Sequence, residues 1–259
     1  MISAHQLDWD VGRHRILREV GISVEPGELL GLLGPNGSGK SSLLRLLAGI
    51  TTPTRGSVTL NDVALQRMTA RARAREIAML PQEGSNTAEL TVLEVALLGR
   101  IPYTGWGQPP DPHAHRIALG MLERFEVRHL AERRWPSLSG GERQRVLLAR
   151  TFTQQTGIVL LDEFTNHLDI RHQLDALELL HGSGVSVVAA LHDLHLAATY
   201  CDRVALLDAG TIVAAGAPGQ VLTAERISEV YQVAAEVDLD EQGRPHIRLR
   251  RAAHHRNRT

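Results

Sequence analysis

Short apolar runs bounded by glycine, carboxylates or polar turns recur along this chain and alternate with segments of helical periodicity. Glu28 to Leu33 reads Glu-Leu-Leu-Gly-Leu-Leu, the kind of run that forms a strand buried on both faces of a parallel sheet. Ile77–Leu80, Ile158–Leu161 and Val185–Leu191 have the same character. Between them, Leu43, Leu44, Leu46, Leu47 and Ala48 recur at helical spacing, as do Val146, Leu147 and Arg150, and the stretch from His195 to Tyr200. Apolar strands alternating with helices predict an α/β fold around a parallel sheet. Near the end, Glu236-Val-Asp-Leu-Asp alternates, Glu241-Gln-Gly243 supplies a turn, and His246 to Leu249 alternates again. That pattern predicts a β-hairpin. The Pro- and Gly-rich run from Ile101 to Pro112 predicts a loop. No internal repeat is present, so one unit is expected and not a tandem pair.

Composition narrows the picture. With 259 residues, 43% hydrophobic and 22% charged, the chain is long enough to bury a sizeable core and is neither disordered nor collagenous. The single cysteine, Cys201, excludes an internal disulfide framework. A net charge of −1 gives no electrostatic case for a nucleic-acid partner, and none is expected. Val185–Leu191 is far short of the roughly 18 apolar residues that a membrane span needs. Met1 to Arg13 has no apolar run resembling a signal peptide, so a cytoplasmic location is expected. Arg67, Arg71, Arg73 and Arg75 read as a solvated basic face. Arg244 to Thr259 carries six arginines and no acid, and reads as a solvated, frayed end. The pairs His113/His115 and His254/His255 lack partners at metal-ligand spacing.

One residue stands apart from this background. Of the 28 basic residues only Lys40 is a lysine, which marks a place where a compact ammonium is needed and a guanidinium fork will not fit. It lies in Gly34-Pro-Asn-Gly-Ser-Gly-Lys40-Ser41-Ser42, which is G-x-x-x-x-G-K-[ST] between a predicted strand and a predicted helix. Gly34, Gly37 and Gly39 allow the backbone to curl so that N–H groups converge on an anion, and the helix N-terminus adds its dipole. A nucleoside triphosphate, ATP or GTP, is the expected ligand of Gly34, Pro35, Asn36, Gly37, Ser38, Gly39, Lys40, Ser41 and Ser42. Lys40 would reach its β- and γ-phosphates and Ser41 would ligate Mg²⁺.

A second string decides what kind of nucleotide protein this is. Leu138-Ser-Gly-Gly-Glu-Arg-Gln144 places Ser139 as a helix N-cap with Glu142 as its capping-box partner. It resembles the signature motif of ATP-binding cassette (ABC) ATPases. The other parts of that family follow in its order. Ile158 to Glu163 resembles a Walker B segment, in which Asp162 would hold Mg²⁺ and Glu163 would act as general base. Pro81-Gln82 resembles the glutamine loop that senses Mg²⁺ and the γ-phosphate. Asn166 to Asp169 resembles the D-loop at the dimer interface, and His192 resembles the switch histidine.

The resemblance spans roughly residues 2 to 245. It implies a P-loop NTPase core with a parallel sheet, and a helical signature subdomain inserted at about 84–150. Residues 1–245 are expected as the ATP-binding domain, and 246–259 as the basic tail. Ser139, Gly140, Gly141 and Glu142 are implied to act on the ATP of a partner cassette, with Asp169 crossing between the two. The segments Phe164 to Gln173, Gly99-Arg-Ile-Pro102 and Leu191 to Ala198 resemble importers of iron chelates, heme and cobalamin. The implied assembly is a homodimer beneath two permease subunits on the cytoplasmic face of the membrane. A binding protein would deliver the cargo, with ferric siderophore first, then heme and cobalamin. The alternatives are an ABC ATPase of a non-transport assembly and a regulatory nucleotide-binding subunit.

Two positions depart from the family pattern. Phe164 replaces the usual proline after Glu163, so a less rigid loop is expected there. Val11 stands where an aromatic usually stacks on adenine. Trp9, two residues earlier on a predicted strand, points to the same side and is the alternative.

Overall fold

A computed structural model describes residues 1–82, 89–104 and 111–251. The tail from 252, including His254 and His255, and part of the Ile101–Pro112 loop lie outside the described residues.

Two sheets form the body. The first is antiparallel, in the order β2-β1-β4-β5, from β1 (Ile2–Val11), β2 (His14–Val24), β4 (Arg55–Leu60) and β5 (Val63–Ala64). The second has the order β10-β9-β3-β8-β7-β6. Its strands β3 (Leu29–Leu33), β6 (Ile77–Leu80), β7 (Ile158–Asp162), β8 (Ser186–Ala190) and β9 (Arg203–Asp208) pair in parallel, and β10 (Thr211–Gly216) closes one edge antiparallel. The continuous apolar runs become β3, β7 and β8, buried along their whole length. Such strands need cover on both faces.

The cover is asymmetric. On one face, α1 (Lys40–Leu47) and the antiparallel sheet bury Leu30, Leu32, Leu43, Leu160 and Val188 in one core. On the other, Leu29, Leu33, Val159 and Leu161 share a core with α3 (Val92–Leu97), α4 (Pro112–Arg124), α5 (Gly140–Thr153), α6 (Ile170–His181), α7 (Leu194–Tyr200) and α9 (Ala224–Tyr231). The short helices α2 (Ala70–Glu76) and α8 (Pro218–Val221) bridge the edges. Within that helical layer, α3, α4 and α5 form the segment inserted between β6 and β7.

The predicted hairpin is present as β11 (Ala234–Leu239) and β12 (Pro245–Arg250). Ile247 of β12 is buried, with α7 packed on that strand, and the Arg244 guanidinium donates to the Thr199 carbonyl. Residues 246–250 are thus part of the packed fold.

The basic face is solvent-exposed at Arg67, Arg71 and Arg75 as expected, with Arg73 half-buried, but three of its guanidinium groups are also bonded to the protein. Arg73 donates to the Leu65 and Met68 carbonyls. Arg71 donates to Pro102 and Thr104, and Arg75 to Pro102 while lying over the Tyr103 ring. Arg73 ties α2 to the turn before it, and Arg71 and Arg75 strap α2 to the segment after α3. Their regular spacing gave no hint of that loop, which arrives from some 30 residues downstream in the chain.

Candidate functional site

The topology brings four strand ends together. β3, β8, β7 and β6 are neighbours in the sheet, and their C-terminal ends lead to Gly34–Ser42, His192, Asp162–Glu163 and Gln82. A cleft of about 450 Å³ opens there, lined by Asn36–Ser42, Gln82, Glu163, His192 and Ile16 of β2. Strand carboxyl ends are where open α/β sheets hold their ligands.

The loop after β3 is shaped by glycine where no other residue fits. Gly34 has φ +143°, and a Cβ there would overlap the Leu207 carbonyl oxygen. Gly39, with φ +107°, caps α1, and a Cβ would come within 2.6 Å of Leu17. Lys40 is 5% exposed and its Nζ donates to the Gly34 and Pro35 carbonyls at 2.7 and 3.1 Å. Burial pulls its pKa below the ordinary lysine value, against the opposing pull of Glu163 and Asp162. The ammonium is thus partly desolvated and held over the curl that it would share with a phosphate.

Ser41 Oγ donates to Asp162 Oδ1 at 2.9 Å. Asp162 is 1% exposed, and its other oxygen, Oδ2, is buried with no hydrogen-bond partner among the described residues. Burial raises its pKa, and the charge of Glu163 adds to that while the Ser41 bond opposes it. A buried carboxylate oxygen without a donor, beside a hydroxyl, is a donor set suited to a hard divalent cation. Ser41, Asp162 and Gln82 fit Mg²⁺ in this chemical sense.

Glu163 follows with φ +52°. Its carboxylate accepts from His192 Nε2 at 2.6 Å, Gln82 Nε2 at 2.7 Å and Asn166 Nδ2 at 3.0 Å. The Asn166 contact escaped the sequence reading, because it depends on the tight turn that the backbone makes after Glu163. The looser loop expected from Phe164 is not found. Phe164 is fully buried, its carbonyl accepts from Gln144 Nε2 at 2.8 Å, and Gln173 donates to Thr165 and Leu168.

The signature residues stand away from this cleft. Ser139 caps α5, accepting from the Glu142 amide, while Glu142 accepts from the Ser139 amide and hydroxyl. These bonds hold the Glu142 carboxyl below its usual range. Gly140 and Gly141 lie against His167, and a Cβ at Gly141 would come 3.1 Å from the His167 carbonyl. None of the four lines the cleft. Asp169 caps α6, accepting from the His172 amide and ring. Trp9 and Val11 do not line the cleft either. Register irregularities on both sides of Trp9 break the alternation that would place them together. Val11 is solvent-exposed and Trp9 packs on the core beneath.

Comparison with known proteins agrees with this geometry. The ABC transporter family matches residues 17–166. The chain is 41% identical over 240 residues to the hemin import ATP-binding protein HmuV of Thermobifida fusca, covering 92% of this chain and 84% of that protein. It is also 41% identical over 239 residues to the cobalamin import ATP-binding protein BtuD of Halobacterium salinarum, covering 90% of this chain and 59% of that one. An inward-facing ABC transporter described as metal-chelate type superposes with a TM-score of 0.82 at 25% identity, covering 97% of this chain and 98% of the other. The dimeric ATP-binding cassette MJ0796, bound to ADP and Pi, gives 0.76 at 25% identity over 84% and 99%. With a phosphate loop, a buried Asp–Glu strand end and a capped signature helix on one parallel sheet, this chain belongs to the ABC transporter family as an ATPase.

Proposed function

We propose that this chain hydrolyses ATP to drive import of a metal held in a planar macrocycle, with hemin as the first cargo. The observation that carries the reading is 41% identity over nine-tenths of the chain to a protein named for hemin import. The cobalamin relative supports the same cargo class. Ferric siderophore, first in the expectation from sequence, moves behind both.

In this reading the backbone from Gly34 to Ser42 wraps the phosphates, and Lys40 exchanges two loop carbonyls for phosphate oxygens. Ser41, Asp162 and Gln82 would hold Mg²⁺, which supplies charge neutralisation on the phosphates when bound. Glu163 accepts a proton from the attacking water, whose oxygen bonds to the γ-phosphorus as the bond to ADP breaks. His192, already on Glu163, keeps that carboxylate oriented until the nucleotide is in place. Ser139, Gly140, Gly141 and Glu142 serve the ATP of a second copy, and Asp169 lies where the copies meet. The assembly is two copies beneath two permease subunits at the cytoplasmic face, with a binding protein acting through the permease. The surface beyond Gln82 is where a cytoplasmic helix of the permease docks.

The test is uptake of labelled hemin, cobalamin and ferric siderophore by cells carrying this chain or its Lys40→Ala variant. Loss of hemin uptake alone in the variant is the expected result. Loss of only another cargo reassigns the substrate, and equal uptake of all three argues against import of this class.

A further inference from the structure

The carboxylate of Glu163 is held by three donors, and they are not equivalent. Gln82 comes from the end of β6 and His192 from the end of β8, each on its own element. Asn166 comes from the same turn as Glu163. The Asn166 amide donates to the Glu163 carbonyl at 3.1 Å while its Nδ2 donates to Oε2 at 3.0 Å. The two residues therefore move as one piece.

The turn that joins them rests on a fixed base. Phe164 is 0% exposed and Thr165 8%. Gln144 of α5 holds the Phe164 carbonyl, and Gln173 of α6 holds Thr165 and Leu168. Glu163 itself sits at positive φ, a conformation that persists only when its surroundings enforce it. A glutamate side chain still has three free torsions above that frame, and one donor on one oxygen removes the last of them.

We propose that Asn166 is a positioning residue for the hydrolytic water. Resting on the reading of Glu163 as general base, its role is to hold Oε2. Oε1 is then left pointing at the water once Gln82 and His192 turn to the nucleotide. Only a donor does this. Aspartate at 166 would set one acceptor against another, and alanine would leave the carboxylate to rotate. Orientation of this kind is worth about tenfold in rate.

The test uses the full chain with Asn166→Ala, the near-isosteric Asn166→Asp, Glu163→Gln and the Ala/Gln double variant. Because Asn166 is exposed, the replacements leave the packed base of the turn in place. The expected result is a kcat lowered about tenfold in Asn166→Ala, and at least as far in Asn166→Asp, with KM for ATP unchanged. In the Glu163→Gln background, Asn166→Ala should lower the residual rate no further. A wild-type kcat in Asn166→Ala, a raised KM at unchanged kcat, or a full additional tenfold loss in the double variant would each overturn the role. If Glu163→Gln itself turns over at the wild-type rate, the base assignment falls and the positioning role with it. A dead Glu163→Gln beside a fully active Asn166→Ala sinks only the Asn166 proposal.

Discussion

Ile16 reaches the cleft from β2, a strand with no recognisable motif, and among the described residues it is the one aliphatic side chain lining a cleft otherwise made of polar residues and glycines. An adenine ring needs an apolar surface, and Ile16 is expected to supply it. Because Ile16 is already half-buried, a ligand there covers little more than one further carbon, so its removal forfeits about 1 kcal/mol of burial, or roughly fivefold in affinity. Ile16→Ala should therefore weaken ATP binding about fivefold, whereas Trp9→Ala should leave the ATP-over-GTP preference of the folded protein unchanged. Isothermal titration with both nucleotides reads this directly, and a lost preference in Trp9→Ala would restore the stacking role to Trp9. The contrast also explains what is readable from residues alone. Gly34 to Ser42 is one continuous run, so its chemistry is visible without a fold. Ile16 reaches the cleft through a strand pairing that has no sequence signal, and Asn166, visible only as part of the D-loop resemblance, meets Glu163 through a turn that the sequence does not reveal.

At the scale of elements, the parallel strands were legible because burial on both faces demands unbroken apolar runs. Their order was not, and that order places Lys40, Asp162, Glu163 and His192 side by side. Ser139 and Glu142 were legible as a capping box because the motif is local. Arg71 and Arg75 are exposed as their spacing suggests, but their carbonyl partners at Pro102 and Thr104 lie on a separate segment and leave no mark in the local pattern. The central strand β3 also carries a tight packing constraint. A Cβ on Gly31 would approach Cys201 Sγ to 2.8 Å and Val204 Cγ1 to 3.3 Å, so the glycine is there for close approach and not for its torsions. Gly31→Ala should cost about 1–3 kcal/mol by overpacking, read as a lowered denaturation midpoint. Cys201→Ala in the same chain should recover part of that loss, because it removes the nearer atom. Additive losses in the double variant would mean that the strand itself shifts.

At the scale of the whole molecule, one chain holds two incomplete halves. Its phosphate cleft lies at the ends of the parallel strands, and its signature helix begins elsewhere, with Ser139, Gly140 and Gly141 outside that cleft. A geometry in which no chain can serve its own nucleotide with its own signature calls for a second copy related by two-fold symmetry. The structural relative MJ0796 is itself a dimer bound to ADP and Pi. Glu163→Gln keeps the cradle and the neutral hydrogen bonds but removes the base. It should bind ATP, lower turnover by about 10²–10⁴-fold, and accumulate as a dimer. Ser139→Arg in the same background should leave ATP bound and the chain monomeric, because the bulk sits where the signature must approach the partner's phosphates. Sedimentation velocity with and without ATP distinguishes the two. A Glu163→Gln chain that stays monomeric while saturated with ATP would mean that the cleft is complete in one copy. The separation of the signature from the phosphate loop would then need a different explanation.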